Sequence, residues 1–127
     1  MNSHVQHLLD SYHRYYGDQL IARGDDESER LMRAPFVVLS HDTQVDPVFN
    51  YGNQMAQQLF EMNWETLTQL PSRFSAEPQN REARAQFLEE VAKQGYSNQY
   101  RGIRISATGR RFFIENVKVW SLHNAAN

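Results

Sequence analysis

The segment Pro47–Phe60, PVFNYGNQMAQQLF, asks for a strand, a sharp turn and a helix in immediate succession. Pro47 to Tyr51 reads as a short strand, and proline is tolerated at a strand's first position. Gly52 permits an abrupt exit. Asn53 is a side chain that accepts an unpaired amide of a helix's first turn. Met55, Ala56, Leu59 and Phe60 then share one helical face. A chain built around this segment must mix strands with helices.

The rest of the pattern agrees. From Ser3 to Tyr16, the residues Val5, Leu8, Leu9, Tyr12 and Tyr16 form a stripe at helical spacing, with Ser3 as its cap. A short helix is expected over Asp26–Arg33, with Asp26 and Glu29 at capping-box spacing, and Ala34-Pro35 stops it. Phe36–Leu39 is an apolar run suited to a buried strand, followed by a turn at His41-Asp42-Thr43. Asn63 caps a further helical turn that ends before Pro71. Asn80–Gln94 is a longer helix, with Glu82 in its first turn, Lys93 in its last and Gly95 just beyond. Two strands follow, Tyr96–Ser106 and Arg111–Leu122, joined at Thr108-Gly109. The order predicts an α+β fold on an antiparallel sheet. On the last strand strict alternation puts Phe112, Ile114, Trp120 and Leu122 on one face and Phe113, Val117 and Val119 on the other. Both faces are apolar, so both need cover. The N-terminal helix, own or from a second copy, is the natural cover for one of them.

Composition narrows the chemistry. A chain of 127 residues is the size of one domain. Its net charge of −2 and scattered basic residues point to neither nucleic acid nor an acidic membrane surface. With no cysteine, disulfides, thiolate catalysis, cysteine-ligated zinc and flavin–cysteine photochemistry are excluded. No secretory pattern or membrane-length apolar stretch is present, so the expected compartment is the cytoplasm.

FNYGN (Phe49–Asn53), LPSRFSAEP (Leu70–Pro78), YRGIRI (Tyr100–Ile105), TGRRF (Thr108–Phe112) and the helix carrying HLL (His7–Leu9) together resemble the MEKHLA family, over about His4 to Trp120. The resemblance implies a PAS-like antiparallel sheet with a helix cluster on one face. Residues 1–34 would form an N-terminal helical extension and residues 35–127 the PAS-like domain. It also implies a sensory or regulatory module that binds a small ligand or a protein partner and signals through conformational or dimer change. The family occurs at the C-terminus of plant homeodomain–leucine zipper regulators. This chain carries neither part, so nucleic-acid binding is not expected to carry over. A homodimer is expected.

Candidate sites follow from that frame. The ligand space between the long helix and the sheet would be lined by Phe87, Val91, Tyr100, Arg104, Phe112 and Trp120, with Arg73 and Ser75 from the loop before the helix. Val5, Leu8, Leu9, Tyr12, Phe113, Val117 and Val119 would form the dimer or interaction surface. Arg104 and Glu115 are placed to pair across the hairpin. No catalytic residue and no metal site are expected. Ser40-His41-Asp42 lists the residue types of a hydrolase triad, but neighbours on a strand point to opposite faces. His4 and His7 share a helix face without further ligands. The long helix has no histidine for haem, whereas flavin can still bind non-covalently. The alternative is a small cone-fold enzyme of isomerase or dehydratase type, with Glu77 or Glu115 as a pocket carboxylate of shifted pKa.

Overall fold

The structure, a computed structural model, describes residues 2–75 and 81–121. Helix α1 (Asn2–Tyr16) is followed by the short α2 (Glu27–Met32), the hairpin β1 (Leu39–His41) and β2 (Phe49–Gly52), then α3 (Gln54–Phe60) and α4 (Trp64–Leu67). A 3₁₀ turn (Ser72–Ser75), α5 (Arg81–Gln94) and the hairpin β3 (Tyr96–Ile105) and β4 (Arg111–Trp120) complete it. The α+β class holds. Among the described residues the strands form two separate two-stranded antiparallel ladders, β1–β2 and β3–β4. No helix among them is long and apolar enough to cross a membrane.

Asn53 explains why the first strand starts late. Phe36–Val38 was expected to be strand, yet β1 begins at Leu39. The backbone of this run is tied to Asn53 instead. Asn53 is wholly buried. Its Oδ1 accepts from Val38 N at 3.0 Å and from Ala56 N at 3.1 Å. Its Nδ2 donates to Leu31 O at 3.1 Å and to Phe36 O at 2.8 Å. One side chain thus caps α3, closes the end of α2 and fixes the entry to β1, using its full amide capacity. Asn63 caps α4 in the ordinary way, accepting from Thr66 N at 2.8 Å. Asp26, by contrast, makes no capping bond and stands in left-handed geometry; Glu27 reaches back to Gly24 N at 3.1 Å.

Helix α1 lies in the core of its own chain. Val5, Leu8 and Leu9 pack with Leu31, Val38 and Tyr51 in one buried cluster, against which Trp64 and Trp120 also lean. The core therefore runs across the expected division at residue 34. At its start α1 touches β1, where His4 Nε2 is 2.9 Å from Ser40 Oγ. Towards its end it touches the second ladder. Trp120 Nε1 donates to Ser11 Oγ at 2.8 Å. Tyr16 Oη donates to Ser97 O at 2.6 Å and lies 3.1 Å from Val119 O. At 1.5 Å of rise per residue, His4 to Tyr16 spans about 18 Å, enough for one helix to join both ladders.

The β3–β4 hairpin contains a pair of irregularities that sequence alternation cannot reveal. Tyr96↔Trp120 and Ser97↔Val119 are partners, then Tyr100↔Val117, then Gly102↔Ile114 through Ile105↔Arg111. Residues 98 and 99 thus oppose 118, and 115 and 116 oppose 101. Each is a bulge, two residues against one. They cancel in register, but each turns its strand over relative to strict alternation. Directly opposed residues share a face, so Arg104, Phe112, Ile114, Val117 and Val119 fall together. Ile103, Phe113 and Trp120 fall on the other face. Exposure follows the same shift, with 112, 114, 117 and 119 more buried than 113, 115 and 118.

Candidate functional site

The predicted ligand-binding residues separate into those that meet and those that do not. Arg104 is 7% exposed and Ser75 is fully buried. Arg104 Nε donates to Ser75 O at 2.9 Å, and Arg104 Nη2 donates to Ser75 Oγ. Ser75 Oγ in turn donates to Ser72 O at 2.7 Å. The 3₁₀ turn thus presents its serines to the one buried guanidinium among the described residues. Phe112 stands directly opposite Arg104 and packs edge-on against Phe60, 5.2 Å between centroids. α5 packs against β3, with Val91 buried and Phe87 half-buried. Tyr100 is placed by its backbone alone, opposite Val117. Arg104, Ser75 and Phe112 are therefore the members of the expected set that the structure brings side by side, while Val91 and Phe87 lie on the helix that packs against β3.

Two residues leave that set. Trp120 lies on the other face of the hairpin and packs against α1, edge-on to Tyr12 at 5.2 Å, because the paired bulges reverse its direction relative to Phe112. Arg73 is exposed; it pairs with Asp46 at 3.0 Å and stacks over Phe74. The expected Arg104–Glu115 pair also fails. Arg104 is level with Phe112, Glu115 stands three positions further along β4 on the opposite face, and it is exposed. That exposure removes Glu115 as a carboxylate in an apolar pocket. Glu77 lies outside the described residues.

The expected interaction surface is redrawn in the same way. Val5, Leu8, Leu9 and Tyr12 are buried by the chain's own elements. Val117 and Val119 are half-buried on the Phe112 face. Phe113 remains outside, 56% exposed. Two open depressions among the described residues lie elsewhere. One is beside Asp26, Arg30 and Pro35, the other beside Gln57, Glu61 and Asn63.

Sequence reasoning missed a polar group at the start of α1. Ser40 finds its histidine not in the adjacent His41 but in His4, 36 residues earlier. Ser40 Oγ donates to Asn50 Oδ1 at 2.5 Å, so its single proton is engaged and His4 Nε2 is the donor towards it. His41 Nδ1 instead faces Asp42 O at 2.9 Å. Burial, with His7 and the N-terminal amine, holds His4 below the usual histidine pKa. Beside it Tyr51 is 0% exposed, and its hydroxyl is the one buried side-chain polar atom without a partner among the described residues. Burial pushes that hydroxyl up to about 12. No spacing rule signals either contact, because both depend on where α1 docks.

A second missed feature lies at the hairpin tip. Glu61, in left-handed geometry after α3, accepts from Ser106 Oγ at 2.9 Å, Thr108 Oγ1 at 2.8 Å and Arg110 Nε at 3.1 Å. Ala107 N donates to Phe60 O at 2.9 Å. The hydroxyls of Thr108 and Ser106, with Arg110, hold the Glu61 carboxyl below its ordinary range. The TGRR segment is thus spent on fastening the β3–β4 turn to α3.

Residues 2–127 match the MEKHLA domain. The chain belongs to the MEKHLA family. Among curated proteins this MEKHLA chain is similar to the homeobox-leucine zipper protein ATHB-9 of Arabidopsis thaliana, 26% identical over 106 residues, covering 84% of the chain and 12% of that protein. It is also similar to the homeobox-leucine zipper protein HOX29 of Oryza sativa subsp. japonica, 25% identical over 121 residues, covering 91% of the chain and 14% of that protein. The chain thus spans only a small part of the length of the curated relatives it matches.

Proposed function

We propose that this MEKHLA chain is a PAS-like sensory or regulatory module, resident in the cytoplasm, that acts by binding and rearrangement and not by catalysis. The observation that carries the reading is α1. One helix closes the core beside β1 and β2 and is also fastened to the second ladder through Trp120–Ser11 and the Tyr16 hydroxyl. Anything that moves α5 or the 3₁₀ turn against the β3–β4 hairpin is transmitted to that helix. A small ligand, weakly polar or carrying an anionic group, would engage Arg104, Ser75, Phe112, Val91 and Phe87. An anionic group would draw the guanidinium from its bonds to Ser75, and that exchange would couple the ligand to the 3₁₀ turn. Such a ligand shifts the domain only by its difference in affinity between the two arrangements.

Thermal-shift screening with saturating metabolites, including flavins, tests this directly. A true ligand raises the melting temperature, by RT ln(1 + [L]/Kd) expressed as stability. Arg104→Gln abolishes the shift while the variant still melts cooperatively. A complete screen with no stabiliser overturns the small-ligand reading and leaves a protein partner as the input.

A further inference from the structure

Four of the chain's six tyrosines gather with Trp120 where α1 meets the β3–β4 hairpin. Their rings form one continuous array. Between centroids, Trp120 meets Tyr12 at 5.2 Å, Tyr12 meets Tyr16 at 4.8 Å, Tyr16 meets Tyr96 at 5.4 Å and Tyr96 meets Tyr15 at 5.5 Å. The array runs from Tyr12, 3% exposed, to Tyr96, 41% exposed. An oxidant in solution therefore meets one end of it, and rings in contact pass an electron vacancy from one to the next.

The surroundings of each ring decide where such a vacancy settles. The Lys118 ammonium donates to Tyr12 Oη at 2.8 Å and lies 5.2 Å from the centres of both the Tyr12 and Tyr16 rings. A fixed positive charge opposes the loss of an electron from either. The Tyr16 hydroxyl faces two backbone carbonyls, Ser97 O and Val119 O, which hold its proton but do not take it away, and burial pushes that phenol up to about 12. Tyr15 and Tyr96 stack on the outer side of the array, 29° apart in plane. Tyr15 Cε1 and Oη lie over Gly95, 2.6 and 2.9 Å from where a Cβ would stand. Cε1 is a carbon next to the phenol oxygen, where a phenoxyl radical carries unpaired spin and forms bonds. It is held against the residue that precedes Tyr96.

We infer that the stacked Tyr15–Tyr96 pair is an oxidative cross-linking site, closed into a dityrosine by hydrogen peroxide and an oxidant of the haem-peroxidase class. Each phenol gives up one electron and one proton. The two phenoxyl radicals join through ring carbons next to their oxygens, and the hydrogens on those carbons move to the oxygens, which restores two phenols. One hydrogen peroxide takes up the two electrons and two protons and leaves as two waters. The chain loses two hydrogens and gains one carbon–carbon bond. That bond ties the end of α1 to the first residue of β3 and closes a long loop, which restrains the unfolded chain. Its consequence for function rests on the reading above, in which movement passes through α1. With the helix fixed to the hairpin, displacement of α5 or the 3₁₀ turn no longer shifts one against the other, and oxidation silences the module.

The test treats the full chain, in dilute solution, with a haem peroxidase and hydrogen peroxide. Trypsin then releases the peptides Tyr15–Arg23 and Gln94–Arg101 as one joined product, lighter by two hydrogens than their sum and carrying dityrosine emission. Tyr15→Phe and Tyr96→Phe each abolish it, whereas Tyr16→Phe and Tyr100→Phe, on the same two peptides, retain it. Far-UV circular dichroism confirms that these ring-preserving variants stay folded. The cross-linked chain melts at a higher temperature than Tyr96→Phe carried through the same oxidation. A missing joined product, links formed only between chains, or a product that survives Tyr96→Phe overturns the inference. An unchanged melting temperature overturns the lock. None of these results bears on the ligand screen, and a screen without a stabiliser leaves the cross-link standing, so the two ideas fail separately.

Discussion

Asn53 is the residue on which three segments depend at once. Truncating it to alanine strands two backbone N–H groups and two carbonyls in the core, and each unsatisfied buried group costs on the order of 1–3 kcal/mol. Some relaxation is expected, so the loss should be about 3 kcal/mol, a fall of roughly 10 °C in a chain of this size. Asn53→Asp should fare no better, because a carboxylate cannot donate to Leu31 O and Phe36 O. Calorimetry of both variants checks this. Tyr51 offers the opposite case. Its unpartnered hydroxyl makes Tyr51→Phe neutral or stabilising in denaturant melts; a loss above about 1 kcal/mol would show that the hydroxyl is engaged in solution. His4 sets a pH dependence whose sign is fixed. Its folded-state pKa lies below the ordinary 6.5, so the unfolded chain takes up its proton first. The stability His4 contributes is complete above about pH 6.5 and is lost as pH falls through its lower folded value. His4→Gln, which retains an amide donor towards Ser40, should flatten that part of the melting profile.

At the scale of elements, two attachments decide how the hairpins sit. The tip of β3–β4 is held to α3 by Glu61. Glu61→Ala should raise hydrogen exchange at Ala107 and Gly109 well before global unfolding, because only that turn is released. In acid the unaltered chain should show the same loosening as pH falls through the depressed Glu61 pKa, since the carboxylate must be ionised to hold Arg110. The other attachment is α1. Removing Met1–Tyr16 uncovers the partners of Val5, Leu8, Leu9 and Tyr12. At about 1.5–3 kcal/mol for each buried apolar side chain, the loss rivals the whole 5–15 kcal/mol of an ordinary domain. The shortened chain should lack a cooperative melt. Much of this was legible in the sequence. The α1 stripe, the Asn53 and Asn63 caps, the length of α5 and the turn at Gly109 all rest on local periodicity and capping chemistry, which a sequence displays. The faces of β4 were not legible. A bulge is a relation between two strands, and counting along one of them by twos put Trp120 beside Phe112 and Val117 beside Phe113. The interaction role given to Leu8 and Leu9 went astray for a related reason. An apolar helical stripe declares that it will be buried, not by what.

Across the whole molecule the two ladders share one hydrophobic cluster with α1, and that connectivity predicts a single transition. In a Trp64→Phe variant the remaining indole, Trp120, reports only the contact between α1 and the second ladder. Its emission should change together with the far-UV signal over the same temperatures. A separate, earlier step would mean that the hairpin and α1 part company while the core survives. Gly95 is where this connection is tightest. Its φ of +99° suits glycine, and a Cβ there would sit 2.6 Å from the Tyr15 ring. Gly95→Ala should therefore bring that earlier step into view by pushing Tyr15 off the hairpin.

The cancelling bulges carry a consequence for how this hairpin tolerates insertions and deletions. Losing one residue from 98–99 or from 115–116 would turn two-against-one into one-against-one, so the rungs on either side would stay paired and keep their faces. Losing one from each would leave every rung of the ladder paired and the turn untouched. The indole at 120 would still face α1, and the ladder would lose only the local bend and added twist that the two bulges give it. In such a doubly shortened variant a regular, straighter ribbon would offer the same aromatic shelf to α1 at a changed angle, which separates what this hairpin needs in order to pair from what it needs in order to communicate.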